Sequence, residues 1–246
     1  MISNNDIKRI KALQQKKFRD ETGLFIVEGE KMVDELIQSC WKVDCVYLRE
    51  EIGEDAMKRI SALANPSPVL AVAHKPEDTY VDDAEELESL FEEGGLFLAL
   101  DTIRDPGNLG TMLRTGEGAG ISGVIMNQTT VDLFNPKTIR STMGSIYRVP
   151  FYITDDLKGT LNTLKKKEIS LYAGHLKGEH FYTEEDYTSA CGFLIGNEGN
   201  GLSDEIADMA NTYIKIPMEG KVESLNAAIS ATLLMYEANR QRRKDK

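Results

Sequence analysis

Phe193-Leu-Ile-Gly-Asn-Glu-Gly-Asn-Gly-Leu-Ser203 is the stretch from which the rest of the chain is read. Its apolar run, Gly192 to Ile195, predicts a buried strand. The run breaks into a loop with Gly196, Gly199 and Gly201 around a single acid, Glu198. Ser203, followed by Asp204 and Glu205, predicts the N-cap of a helix. Strand, glycine loop and helix start, in that order, let backbone approach a small molecule closely. One glycine here would mark an ordinary strand-to-helix turn. Three glycines flanking one acid favour a ligand site.

Working outward, the surrounding sequence alternates strand and helix signals. Leu96-Phe-Leu-Ala-Leu100 is a continuous apolar run suited to a central parallel strand. The loop Asp101-Thr-Ile-Arg-Asp-Pro-Gly-Asn108 follows, then a helix over Leu109 to Gly118 and a strand over Val124 to Met126. A helix is expected from Asn135 to Thr142, a strand or edge from Tyr147 to Tyr152, and a helix from Leu157 to Lys166. Strands are expected at Ser170 to Ala173 and Tyr213 to Ile216. Ser224 is expected to cap a final helix with Leu225, Ala228, Ile229, Thr232, Leu233 and Tyr236 on one stripe. This alternation implies a doubly wound α/β sheet with its ligands at the carboxyl ends of the strands.

Toward the N-terminus a second alternating unit appears. Asp6 to Lys17 has helical spacing at Ile7, Ile10 and Leu13. Strands follow at Leu24 to Val27, Val43 to Leu48 and Val69 to Ala73, with helices at Lys31 to Ser39 and Asp55 to Leu63. From Pro76 to Glu93 the chain turns acidic, reading as a solvated helix that leads into a linker closed by Gly94-Gly95. We place a domain boundary there, giving a small α/β domain at 1–94 and a larger one at 95–246.

With 246 residues the chain can bury a proper core without disulfides. No run of about 18 apolar residues suggests a membrane span, and the N-terminus lacks an apolar signal region. Cys40, Cys45 and Cys191 have neither metal-like nor disulfide-like spacing, so a reducing cytoplasm is the expected home and no metal is expected. The net charge of −11 argues against a nucleic-acid partner in the average. A local cluster, Lys8, Arg9, Lys11, Lys16, Lys17 and Arg19, is one candidate exception. The basic C-terminus, Arg240-Gln-Arg-Arg-Lys-Asp-Lys246, is a second; the bland readings are a solvated helix face for the first and a frayed tail for the second.

The chemistry is narrowed by what is missing. His74, His175 and His180 lie outside the glycine loop and its neighbours, and there is no Gly-x-Ser-x-Gly and no metal-ligand cluster. The glycines at 116, 118 and 120 follow a helix, and those at 196, 199 and 201 run in reverse of a dinucleotide fingerprint, which disfavours a nicotinamide oxidoreductase. Methyl transfer from a sulfonium needs no metal and little acid–base help, because the protein mainly positions the reactants. Asn108 and Arg114 are six residues apart, about 9 Å along a helix. The alternatives are plain: Asn108 as a helix cap, and Arg114 paired with Glu117 or Glu198.

Three ordered segments then carry a resemblance. Asn108-x5-Arg114-Thr, Ile195-Gly-Asn-Glu-Gly-x-Gly-Leu-Ser203 and Ile216-Pro-Met-x-Gly-x-x-x-Ser-Leu-Asn-Ala-Ala228 resemble the motifs of the SpoU/TrmH family of RNA ribose 2′-O-methyltransferases, within the SPOUT superfamily. Ser141-Thr-Met-Gly-Ser-Ile-Tyr-Arg-Val-Pro150 is similar to a further family segment. The match spans Asp101 to Asn239. The first domain, with Phe25-Ile-Val-Glu-Gly29, more weakly resembles the substrate-binding domain that often precedes this catalytic one. The resemblance implies a C-terminal methyltransferase domain with a trefoil knot, an exception to the avoidance of knots. It implies S-adenosylmethionine held around Gly196, Ile216, Met218 and Leu225, and a homodimer. It places Asn108, Arg114, Glu198, Ser224 and Asn226 in the active site, with Arg114 as general base or phosphate clamp, and ribosomal or transfer RNA as partner. The rival it leaves is a noncatalytic RNA-binding module retaining the fold.

Overall fold

The computed structural model describes residues 2–76, 94–175 and 177–243. The acidic segment expected to form a helix and linker, with its domain boundary, therefore lies almost wholly outside the described residues. Two separate sheets flank it. The N-terminal sheet is antiparallel, with β3 (Val69–His74) between β1 (Leu24–Glu28) and β2 (Val43–Leu48). Helices α1 (Asn4–Ala12), α2 (Lys16–Thr22), α3 (Glu30–Gln38), α4 (Arg49–Ile52) and α5 (Glu54–Ile60) surround it. The single helix expected from Asp6 to Lys17 is two helices, because Leu13 ends α1 as its C-cap and the chain re-enters helix at Lys16.

The second sheet has seven strands, all parallel, in the order β6-β5-β4-β9-β7-β10-β8. These are β4 (Leu96–Asp101), β5 (Gly123–Asn127), β6 (Phe151–Thr154), β7 (Ser170–Gly174), β8 (His180–Phe181), β9 (Cys191–Gly196) and β10 (Thr212–Lys215). The expected strand near Tyr147 begins later, since a 3-10 turn occupies Ser145–Tyr147.

Side chains along β4 alternate between the two faces of the sheet, as the pleat requires. Leu96, Leu98 and Leu100 join one apolar cluster with Leu109, Met112 and Leu113 of α6 (Pro106–Ala119), Ile139 of α7 (Pro136–Thr142) and Leu234 of α10 (Ala227–Arg242). Phe97 and Ala99 join another with Leu157, Leu161 and Leu164 of α8 (Leu157–Lys166) and Ile206 of α9 (Asp204–Ala207). Helices thus cover both faces, as a doubly wound sheet demands.

One face of the N-terminal sheet packs on a core of its own with Ile10 and Ile60, and the other shares a core with the larger sheet. Phe25 and Trp41 from the first part belong to the same buried cluster as β4 and α6. Phe25 meets Phe134 at a ring separation of 5.0 Å, and Trp41 meets Tyr147 edge-on at 5.0 Å. Beside them Arg19, only 1% exposed, donates through Nε (2.8 Å) and Nη2 (2.5 Å) to Asp132 Oδ2, and through Nη1 to the Leu13 carbonyl. Arg19 was expected among the RNA-binding cations. Its guanidinium is instead spent inside the protein on a carboxylate and a carbonyl, out of reach of any phosphate.

Candidate functional site

Adjacent parallel strands β4 and β9 end side by side, with Leu100 opposite Ile195 and Asp101 opposite Gly196. Asp101 is nearly buried, and both its oxygens are occupied. Oδ2 accepts from the Ser203 N–H (2.9 Å) and hydroxyl (2.6 Å), while Oδ1 accepts from Thr102 Oγ1 and Asn127 Nδ2. Ser203 does stand at the N-cap of a short helix, as its sequence predicts. Its hydroxyl, however, bonds to Asp101 and makes no capping bond to the helix. Asp101 therefore pins the far end of the glycine loop to the end of β4. Sequence reading passed over Asp101 because only the β4–β9 register brings it beside Ser203.

The loop between is tightly closed. Asn197 and Gly201 bond to each other through both backbone pairs, and Asn197 Oδ1 accepts from the Gly199 and Asn200 N–H groups. A Cβ at Gly196 would lie 2.0 Å from Gly201 C and Leu202 N, so only glycine fits there. Gly201 sits at φ +71, in the left-handed region glycine tolerates at no steric cost.

Glu198 leaves this loop toward α6. Its Oε1 accepts from Asn108 Nδ2 at 2.6 Å, and the Arg104 and Asp105 N–H groups point at its two oxygens. Burial pushes the Glu198 carboxyl up, but the Asn108 amide and the backbone N–H groups outweigh it and hold the carboxyl below its ordinary value. Asn108 in turn accepts through Oδ1 from Asn226 Nδ2 at 3.0 Å. Asn226 caps α10, accepting from the Ala228 and Ile229 N–H groups. Two expectations are corrected here. Asn226, not Ser224, is the N-cap of the last helix. Asn108 does not cap its own helix; Asp105 does, three residues earlier, by accepting from the Asn108 N–H. The Lys137 ammonium, 2.9 Å away, holds Asp105 below the usual carboxylate range.

Arg114 is exposed, and its guanidinium has no hydrogen-bond or ion-pair partner among the described residues. Glu117 pairs with Arg148 and Glu198 is committed to Asn108, so neither expected partner is taken up. Ser224 is exposed as well. It lines a cavity of about 330 Å3 at the carboxyl ends of β7, β9 and β10. That cavity collects Gly196 and Glu198 from one loop with Ile216, Met218 and Leu225 from another, and Leu234 of α10. All four positions expected to hold a cofactor line it. Apolar side chains alternate there with backbone of a glycine loop, a lining suited to a purine nucleoside whose flat faces are apolar and whose edges need N–H and C=O partners. A wider groove of about 690 Å3 lies between α3 and β2, lined by Val33, Ile37, Val46 and Leu48. Its rim of Glu30, Asp34, Glu50 and Glu54 repels phosphate, so it is no candidate for RNA. No group of His, Cys, Asp and Glu suited to a metal occurs among the described residues.

Comparison with known proteins agrees with this geometry. Residues 95–236 match the SpoU rRNA Methylase family and residues 4–75 an MRM3-like substrate binding domain. The 23S rRNA (guanosine(2553)-2′-O)-methyltransferase RlmP of Bacillus subtilis (strain 168) is 30% identical over 248 residues, covering 95% of each chain. The AdoMet-bound rRNA methyltransferase from Sinorhizobium meliloti superposes with a TM-score of 0.86 at 33% identity, covering 99% of this chain and 97% of that one. The SpoU methyltransferase AviRb from Streptomyces viridochromogenes, in complex with AdoMet, gives 0.85 at 25% identity, covering 98% of both.

Proposed function

Because the chain belongs to the SpoU rRNA Methylase family, we propose that it transfers the methyl group of S-adenosylmethionine to a ribose 2′-hydroxyl of structured RNA, ribosomal or transfer. When bound, S-adenosylmethionine supplies a methyl group activated by a sulfonium that leaves as a neutral thioether, so the protein's work is positioning. The carrying observation is the chain Asn226–Asn108–Glu198, which joins all three motif segments beside the cavity that Glu198 lines. Gly196, Ile216, Met218 and Leu225 hold the cofactor. Asn226 and Glu198 fix the orientation of the Asn108 amide from both ends, and Ser224, exposed on the cavity wall, meets the substrate oxygen. The Arg114 guanidinium offers five N–H donors and no acceptor. It clamps a phosphate and stabilises charge developing on the attacking oxygen, and the hydroxyl proton passes to solvent, to which this side chain is exposed.

Residues 1–94 act as the substrate domain, a division supported by the separate match over 4–75. A trefoil knot in the C-terminal part goes with this reading; the return of residues 214–227 to the cavity that the 195–202 loop lines supports it. So does a homodimer, for which Ile229 (49% exposed) and Tyr236 (44%) provide an uncovered apolar stripe on α10. The protein acts in the cytoplasm, a reading supported by its likeness to the ribosomal RNA methyltransferase of Bacillus subtilis. No described helix is long and apolar enough to cross a membrane.

Arg114→Lys tests the assignment. Lysine keeps the charge but not the planar fork that grips phosphate in two places. Single-turnover methylation of ribosomal RNA at saturating cofactor should fall about 10²-fold, with S-adenosylmethionine affinity retained. Near-wild-type rates would end the role of Arg114. Cofactor binding by the wild type with no methyl transfer to any RNA would favour a noncatalytic RNA-binding module.

A further inference from the structure

A protein that holds RNA must keep some cations free of internal carboxylates, because phosphate binding is ionic. Of the eleven arginines in the chain, seven donate to carboxylates, carbonyls or a side-chain amide. The guanidinium groups of the C-terminal Arg243 and of three others, Arg104, Arg114 and Arg140, have neither a hydrogen bond nor an ion pair among the described residues. Those three are exposed, and all lie on the elements around Asn108.

Their placement is fixed by packing. Arg104 sits in the β4–α6 loop, its own N–H directed at Glu198. Arg140 is carried by α7, which lies hard against α6. A Cβ on Gly110 would come within 2.5 Å of Ser141 Cβ and 2.6 Å of the Thr138 carbonyl. Lys137 ties the first turn of α7 to Asp105, the N-cap of α6. Arg140 is one turn beyond Lys137 and next to Ser141, so its position relative to Asn108 is set by two rigid helices.

The N-terminal basic cluster is different. Arg9 pairs with Asp44, Lys16 with Asp20, Lys17 with Glu21 and Arg19 with Asp132, leaving Lys8 and Lys11. Nor does the overall charge oppose a local site. Residues 1–76 carry twelve Lys and Arg against twelve Asp and Glu, and residues 95–246 seventeen against nineteen. Residues 77–94 hold nine acids and no base, so most of the net charge of −11 belongs to that one segment.

We propose that Arg104 and Arg140 extend from Arg114 as a phosphate track on the α6–α7 surface, which seats the RNA backbone flanking the methylated nucleotide. The inference rests on the methyltransferase reading and adds two substrate-positioning residues to it. Binding of the full-length chain to protein-free ribosomal RNA transcribed in vitro, followed from about 50 to 200 mM salt, tests it. Arg104→Gln and Arg140→Gln should each weaken binding several-fold and reduce the slope of log affinity against log salt by about 0.7–0.9. KM for RNA should rise with S-adenosylmethionine affinity unchanged, and Arg140→Lys should restore most of the loss. Lys166→Gln, on α8 across the sheet, removes an equal charge as the control. An unchanged salt slope, a loss no larger than that of Lys166→Gln, or a change in sedimentation with RNA affinity intact overturns the track. A wild type that transfers no methyl group to RNA would instead refute the enzymatic reading, whatever the salt slopes.

Discussion

Glu198 receives three N–H donors on two oxygens, and that stoichiometry defines what it does. A carboxylate so engaged organises the Asn108 side chain and the start of α6; it is poorly placed to take a proton as well. Replacing it with glutamine exchanges one acceptor oxygen for an NH2 that faces backbone N–H donors. Glu198→Gln should therefore lower turnover about tenfold, equivalent to about 1.4 kcal/mol, read in single-turnover methylation. The pH dependence has a definite sign. The folded carboxyl titrates below its ordinary value, so its stabilising contribution is complete above the unfolded value of about 4.3 and is lost as pH falls through the lower folded value. Thermal unfolding of the two proteins should thus converge as pH drops through the acid range. A gap that persists or widens in acid would show that Glu198 is not held ionised by these donors.

At the scale of elements, α2 matters through one side chain. Arg19 leaves that helix, crosses into the larger part of the protein and meets Asp132, whose other oxygen accepts from the Phe134 N–H. Arg19→Met strands a nearly buried carboxylate, which should cost about 3–5 kcal/mol and lower the melting temperature by roughly 10 °C. Adding Asp132→Asn removes the charge but keeps the bond to Phe134, so it should recover much of the loss in urea or thermal unfolding. If the single variant melts with the wild type, the buried pair contributes nothing. The same residue shows where sequence reading stops. Lys8 to Arg19 is a run of cations at helical spacing, and nothing local marks one of them as internal, because Asp132 lies 113 residues away. The central strands of the parallel sheet were legible from their apolar runs, whereas β8, two exposed residues paired at the sheet edge, carries no such run and was not expected. The caps were not: Ser224 and Asn226 are both good N-cap residues, and only the start of α10 at Ala227 decides between them. The motif residues around the glycine loop were legible as types, whereas their connection through Asn108 depends on β4 and β9 ending in register.

For the whole molecule, the last helix bears on the proposed homodimer. An α-helix that serves one core buries one stripe and exposes polar residues elsewhere. Helix α10 instead buries Ala228, Ala231, Leu234, Met235 and Ala238, and still leaves Ile229 and Tyr236 exposed on another side. The expected single stripe is thus two. The second one lies beside α6: Thr232 bonds to Thr115, and the Tyr236 hydroxyl would be 2.9 Å from a Cβ at Gly118, one turn beyond Arg114. Association through this surface buries apolar area that the monomer leaves wet and brings the partner up to the edge of the α6 face that carries Arg114. The full chain should therefore sediment as a dimer at micromolar concentration, twice the 27.4 kDa of one copy. Ile229→Asp with Tyr236→Asp puts two carboxylates into that contact, where leaving charges unpaired costs several kcal/mol. The double variant should sediment as a monomer with an unchanged far-ultraviolet circular dichroism spectrum. A folded variant that remains dimeric would move the interface elsewhere, and a wild type sedimenting at 27.4 kDa would remove it.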